Sequence, residues 1–245
     1  MSWTAGPVVG LDTETTGVDV DTDRIVTAAV VRREAGATSV TTWLLDPGVA
    51  IPDVATAIHG VTTARARAVG RPAAAALDEI AVELVDALAH DEPVVAYNAS
   101  FDLTLLDVEL RRHGLATLAA RLGRPVRAVI DPLVLDRHLD ASREGARRLG
   151  DLCDHYGVPA ADLHRADVDV IATLDVLDAL TRAFPEIGAL PLDELHELQV
   201  SAHERWVDRV SSARAERGAE GPGPEPAWPV RVGPPVLSSA GGPVA

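Results

Sequence analysis

Three short motifs fall in order along the chain and together supply four carboxylates and one imidazole. Asp12-Thr13-Glu14-Thr15-Thr16-Gly17 follows the apolar run Val8-Val9-Gly10-Leu11. Asn98-Ala99-Ser100-Phe101-Asp102 follows Val94-Val95-Ala96-Tyr97. His164-Arg165-Ala166-Asp167-Val168-Asp169 stands where a long helical pattern opens. Carboxylates at the ends of buried strands are costly unless something cationic neutralises them. Clustered acids of this kind suggest hard divalent cations, and with them metal-assisted chemistry on a phosphate ester.

Each motif has a blander interpretation. Asp12 and Glu14 are two apart at a strand end, so alternation puts them on one side with Thr13 opposite. Two such carboxylates repel unless a cation bridges them, although most Asp-x-Glu pairs are solvated loop acids. Thr15-Thr16-Gly17 reads as a tight loop whose backbone can approach a nucleotide. Asp102, in the first turn of a helix, could be a dipole-favoured cap, and Phe101 fits the core better than a base platform. On one continuous helix His164 and Asp169 would sit about 140° apart, at roughly 100° per residue. The spacing therefore predicts His164 in the loop or first turn and Asp169 pointing in from the helix. Asp167 and Asp175 are rival ligands. Of the eight histidines, His164 alone has acidic company of this kind. An imidazole, titrating near neutrality, is a ready general base.

The elements that must position these residues follow from patterning. Val8 to Leu11 reads as a buried strand. The β-branched stretches Arg24 to Arg33 and Thr38 to Asp46 read as a hairpin around Glu34-Ala35-Gly36-Ala37. Asp53 to Arg71 reads as irregular. A helix is expected over Pro72 to His90, with Pro72 in its first turn, then a strand over Val94 to Tyr97 and a helix from Ser100 to His113, stopped by Gly114. A fifth strand over Val126 to Ile130 leads into helices over Pro132 to Leu139, Arg147 to Tyr156, and about Asp162 to Phe184. This order makes an α/β fold with a five-stranded mixed sheet flanked by helices. Beyond Phe184, residues 185–217 read as a helical extension with a thin apolar stripe of Leu195, Leu198, Trp206 and Val210. Residues 218–245 are rich in Gly and Pro and read as a disordered tail.

The ordered set of motifs resembles the DEDDh family of 3′–5′ exonucleases, the DnaQ-like enzymes that include proofreading epsilon subunits of bacterial replicases. The resemblance spans about residues 7–184, with echoes in Ile58-His59-Gly60-Val61-Thr62 and in Arg148-Leu149-Gly150-Asp151-Leu152-Cys153. It implies a ribonuclease H-like fold in an exonuclease domain over 1–184. It implies two Mg²⁺ or Mn²⁺ ions, with Asp12 bridging them, Glu14 and Asp169 on the first and Asp102 on the second. His164 would deprotonate the attacking water, and nucleoside 5′-monophosphates would be released. Substrate contacts would fall on Thr13, Thr15, Thr16, His59, Asn98 and Phe101. Tyr97 stands where many relatives carry His, a tolerated departure.

Composition limits the rest. Net charge is −15, and all 22 basic residues are Arg, which argues against coating DNA by bulk electrostatics but not against gripping one strand end. Cys153 is the only cysteine, so neither an intrachain disulfide nor a cysteine-based zinc site can form. No apolar run approaches the roughly 20 residues of a membrane span, and no signal-peptide pattern opens the chain, so no membrane partner and a cytoplasmic location are expected. The expected partner is the 3′ end of a single-stranded nucleic acid, with DNA favoured for repair, proofreading or turnover. An exoribonuclease trimming short RNA and a non-catalytic binding or scaffold module remain as alternatives. A DNA polymerase or sliding clamp stays open as a partner, but Gln199-Val200-Ser201-Ala202-His203 is a poor clamp-binding string.

Overall fold

A computed structural model describes residues 3–160, 163–221, 223–231 and 233. After a 3-10 turn at Trp3–Ala5, strand β1 (Val8–Thr15) runs through the middle of the molecule. It pairs antiparallel with β2 (Ile25–Glu34), which turns at Ala35-Gly36 into β3 (Ala37–Asp46) as the expected hairpin. Helices α1 (Asp53–His59) and α2 (Thr63–Val69) occupy the stretch expected to be irregular, and a two-residue strand β4 (Arg71–Pro72) follows them onto the edge of β3. Both helices are short. Thr62 caps α2 by accepting from the Arg65 N–H, and Gly60 ends α1 in the left-handed region at φ 74°, a conformation that costs Gly little.

Helix α3 (Ala73–Ala89) starts one residue after Pro72. Strand β5 (Val94–Val95) is shorter than expected, yet Ala96 still donates to Ile130 O at 3.2 Å. Helix α4 (Ala99–Arg112) and the short α5 (Leu118–Leu122) precede β6 (Val129–Ile130). Helices α6 (Pro132–Leu139), α7 (Leu149–Tyr156), α8 (Ala166–Ala183), α9 (Pro185–Ala189) and α10 (Leu192–Glu216) complete the described elements. Helix α8 begins later than expected, and Asp162 lies outside the described residues.

The sheet order is β4-β3-β2-β1-β5-β6, with β1, β5 and β6 parallel. It has six strands rather than five, the sixth being the two-residue β4. Both faces are covered, which explains the apolar runs in its strands. Val9 and Leu11 of β1 face α3 and α4, in a core with Leu77, Ile80, Leu84, Leu103 and Leu106. Val95 and Ile130 belong to a second core, on the side of α7 and α8, with Leu152, Val170, Leu174 and Leu177. Gly10 marks the tightest point there, since a Cβ on it would lie 2.4 Å from Val170 Cγ1. β1 and α8 thus approach as closely as backbone packing allows.

Two expectations about the C-terminal part are corrected. The buried face of α10 is not the stripe Leu195, Leu198, Trp206 and Val210. It is Leu195, His196, Gln199, Ala202, His203 and Val207. Gln199 explains the polarity: its Oε1 accepts from Asp131 N at 2.7 Å, and its Nε2 donates to Val129 O at 3.0 Å and Leu195 O at 3.1 Å. A buried amide satisfied in this way docks the helix onto the end of β6. Residues 223–231, expected within a disordered tail, pack back on the domain. Trp228 is buried, Arg231 N donates to Thr104 Oγ1 at 2.9 Å, and Arg231 pairs with Asp21. One tryptophan provides the apolar area that mean composition conceals. Residues 234–245 of that expected tail lie outside the described residues.

Candidate active site

The site sits at the C-terminal end of β1. Asp12 and Glu14 project to the α8 side, and α8 brings Asp169 to meet them. One ligand oxygen from each of the three lies within 4.8 Å of the others. Asp102 comes from α4 on the other face and stands outside this triad. It is tied to β1 by Thr13, whose Oγ1 donates to Asp102 Oδ1 at 2.6 Å. Thr13 points opposite Asp12 and Glu14, as alternation requires. Strand alternation therefore serves both faces: two acids to one side, and a hydroxyl that fixes the fourth acid, Asp102, to the other.

The electrostatics are those of a site that needs a cation. Burial, then Asp102, Asp169 and Glu14, hold the Asp12 carboxyl well above its ordinary range. Burial, followed by Asp169 and Asp102, pushes Glu14 up to about 7. Burial raises Asp102 to about 7 against the hydrogen bond from Thr13. Asp169 is raised by burial and partly relieved by the His164 N–H. Like charges in a partly dry site cannot all ionise without compensation, and all-oxygen donors suit Mg²⁺ or Mn²⁺. These residues therefore fit a divalent metal centre.

His164 precedes α8 and adopts φ +79°, rare for a side-chain-bearing residue. That turn lets its N–H donate to both Asp169 carboxylate oxygens, each at 3.1 Å. Its exposed side chain lines a cavity of about 390 Å³ with Glu14, His59, Arg65 and Arg165. His59 Nδ1 accepts from Val61 N at 3.1 Å, and burial lowers its pKa. The rival acids are occupied elsewhere: Asp167 pairs with Arg165 at 3.0 Å and Asp175 with Arg33 at 2.7 Å.

The remaining expected substrate contacts divide. Thr13 and Thr16 are buried. Thr16 Oγ1 donates to Asp23 Oδ1 at 2.7 Å, so its side chain closes the loop rather than facing solvent. Gly17 serves the same closure, since a Cβ there would meet Asp23 Oδ2 at 2.5 Å. Thr15 is half-buried and donates to Gly17 O. Asn98 is exposed, at φ +60°, where the chain turns into α4. That turn is held by Asp131, which accepts from Asn98 N at 3.1 Å and Ala99 N at 2.9 Å. Phe101 is half-buried and packs on the α3–α4 core. Tyr97 donates its hydroxyl to Arg147 O at 2.6 Å, which gives the residue at the usual histidine position a structural use. Sequence reasoning missed Asp131 as support, and Arg65 and Arg165 as cations beside the cavity. Adjacency to the His59 and His164 motifs was the only available signal for the two arginines.

Comparison with known proteins agrees with this geometry. The model of the exonuclease family RNase T matches residues 9–177, which include all three motifs. DNA polymerase III PolC-type from Staphylococcus aureus is 32% identical over 107 residues, covering 44% of this chain and 7% of the polymerase. The chain thus corresponds to a small part of that relative. E. coli Exonuclease I in complex with a dA16 oligonucleotide superposes with a TM-score of 0.63 at 21% identity, covering 75% of this chain and 42% of that one. Exonuclease I from Methylocaldum szegediense gives 0.60 at 24% identity, again covering 75% and 42%. These two likenesses show the fold. Among the described residues no helix is long and apolar enough to cross a membrane. With its acidic motifs gathered at one strand end and the family match running from β1 into α8, the chain belongs to the RNase T exonuclease family.

Proposed function

We propose that the protein is a metal-dependent 3′–5′ exonuclease that removes nucleoside 5′-monophosphates from single-stranded DNA. The observation that carries this is the convergence of Asp12, Glu14 and Asp169 within 4.8 Å, with their carboxyl pKa values raised. Asp12, Glu14 and Asp169 would hold one divalent ion, and Asp12 with Asp102 a second. Bound there, Mg²⁺ or Mn²⁺ would acidify water and neutralise charge on the phosphate oxygens. His164, exposed at the cavity edge, takes the proton of the attacking water. The P–O3′ bond breaks, and the 3′-oxygen leaves with the shortened strand. The 3′-terminal nucleoside lies in the cavity between His59 and Glu14, and Arg65 and Arg165 supply positive charge beside it. Thr13 and Thr16 contribute through their backbone, since their hydroxyls are spent internally.

DNA is favoured over RNA because the similar proteins are a DNA polymerase and an exonuclease solved with a dA16 oligonucleotide. A zinc-bound E. coli Exonuclease I–ssDNA complex is a further solved neighbour, in keeping with a divalent centre. The match to part of a DNA polymerase supports a role in DNA replication or repair. The test uses matched 5′-labelled DNA and RNA strands with Mg²⁺ or Mn²⁺. A ladder descending from the 3′ end of DNA, stopped by EDTA, is expected. Shortening from the 5′ end, or digestion indifferent to EDTA, would sink the proposal; equal digestion of RNA would remove only the DNA preference.

A further inference from the structure

A second cavity, of about 260 Å³, opens over the first turn of α4, at Asn98, Ser100 and Phe101, rather than beside Glu14. One wall belongs to the exonuclease core: Val20, Asn98 and Phe101. The opposite wall is His203 and Trp206 of α10, with Glu225 from the segment that follows. These last three lie beyond residue 177, where the family match ends, so that wall belongs to this chain's own extension. Its parts are fastened to one another. His203 Nε2 lies 2.9 Å from Glu225 O, and since a carbonyl only accepts, Nε2 carries the proton. Arg137 stacks on Trp206 with its guanidinium carbon 3.8 Å from the ring centroid and holds the plane of the indole.

We propose that this cavity is a base-binding subsite that takes an unstacked nucleobase of the DNA strand upstream of the scissile linkage. It rests on the exonuclease activity proposed above. Three observations select the occupant. The lining carries two flat aromatic faces, Phe101 and Trp206, and every base offers a π-face to such walls. Its polar edges are an amide and a carboxylate, Asn98 and Glu225, which match the donors and acceptors of a base edge. No Arg lines it among the described residues, and its one carboxylate, Glu225, already accepts from Ala227 N at 3.0 Å and has Arg231 at 3.9 Å, so the interior offers a sugar-phosphate no free cation. The position also agrees. The cavity near His59 and His164 lies on the Glu14 side, and this one adjoins Asn98 and Phe101 on the Asp102 side. A strand whose 3′-terminal nucleotide fills the first passes the acids and delivers an upstream base to the second.

The experiment compares wild type with Trp206→Ala on three substrates with Mg²⁺. These are a 5′-labelled single-stranded DNA, the same strand abasic at its second and third nucleotides from the 3′ end, and the p-nitrophenyl ester of thymidine 5′-monophosphate. The ester engages the acids and the first cavity alone. Stacking of one base on an aromatic side chain supports an effect of about 10-fold. We expect Trp206→Ala to lower kcat/KM on the intact strand by about 10-fold, through KM, and to leave the ester unchanged. Wild type should lose about as much on the abasic strand, and Trp206→Ala should lose little more there. Trp206→Phe, which keeps a flat ring, should recover most of the rate. An equal loss on strand and ester, or an abasic penalty that is the same in both proteins, overturns the subsite. If Trp206→Ala does not fold, the wild-type strands still decide: no abasic penalty overturns it. Failure of wild type to cleave strand and ester alike overturns the exonuclease proposal instead.

Discussion

Asp12 is held under two opposed demands. Its carboxylate is placed to meet a cation, yet without one burial and the charges of three neighbouring acids hold its pKa well above the ordinary range. Asp12→Asn should therefore abolish turnover and, in metal-free protein, raise stability by on the order of 1–2 kcal/mol, the usual trade between site chemistry and stability. A melting curve in EDTA beside a nuclease assay reads both; a destabilised variant would show that the site is not frustrated. The pH dependence has a definite sign. Glu14 and Asp102 go from ordinary values of 4.5 and 3.8 to about 7 on folding, so the folded state binds protons more tightly. Their stabilising contribution is full below about pH 4 and is lost as pH rises through about 7. Metal-free protein should lose melting temperature between about pH 4 and pH 7 more steeply than Glu14→Gln, and Mg²⁺ should restore it at the upper end. His164 makes a separate claim. His164→Asn tolerates the φ of +79° better than Ala would and keeps the N–H bonds to Asp169. It should slow turnover by about 10²–10⁴-fold with metal affinity retained, and Asp167→Ala should be nearly neutral. A faster His164→Asn than Asp167→Ala would remove His164 from the chemistry.

At the scale of elements, the close approach of β1 and α8 is what brings Asp169 to Asp12. Gly10 permits it. Gly10→Ala places a methyl 2.4 Å from Val170 Cγ1, and overpacking of this kind costs about 1–3 kcal/mol. It should also push Asp169 away, so metal affinity should fall more than the loss of stability alone explains. Calorimetric titration with Mn²⁺ checks this, and unchanged affinity would show that α8 does not set the triad. The tail makes an equally direct prediction. Trp228 donates to Asp131 Oδ2 at 3.4 Å and packs on the α3–α4 core. Trp228→Ala, or truncation after residue 222, should cost about 3 kcal/mol, the lower end for a buried aromatic; an unchanged melting temperature would show that the segment does not dock. Most central elements were legible because the apolar run of β1, the β-branched content of β2 and β3 and the helical spacing of Leu77, Ile80, Leu84 and Leu88 are strong signals. Helices α1 and α2 were not: seven residues each and mixed in character, they show no period; α2 is held by its Thr62 cap and by contact with β3, and α1 through Ala55 in a small cluster with Val26, Ile51, Val61 and Ala66.

On the scale of the whole molecule, a chain of net charge −15 cannot rely on a broad basic surface. If two or three phosphates are met by Arg side chains, the affinity of the inactive Asp12→Asn for a labelled single strand should fall only about 10-fold between roughly 50 and 200 mM salt, from a slope near −0.7 per contact. A loss of a thousandfold would show instead a broad basic groove along the strand. The acidic motifs were readable in the chain because their chemistry is local. Asp12 and Glu14 are two apart on a strand, and an alternating backbone commits them to one side whatever the rest of the fold does. The sequence likewise determined the order of strands and helices, since hydrophobic period is a property of neighbours. Tertiary structure alone decided which acids meet: Asp169 and not Asp167 or Asp175, with Asp102 held apart on Thr13. It also decided that Gln199 docks α10, that Trp228 returns to Asp131, and that Trp206 and Phe101 line one cavity. These partners lie tens to more than a hundred residues apart, and no local periodicity records a contact made by packing two distant elements together.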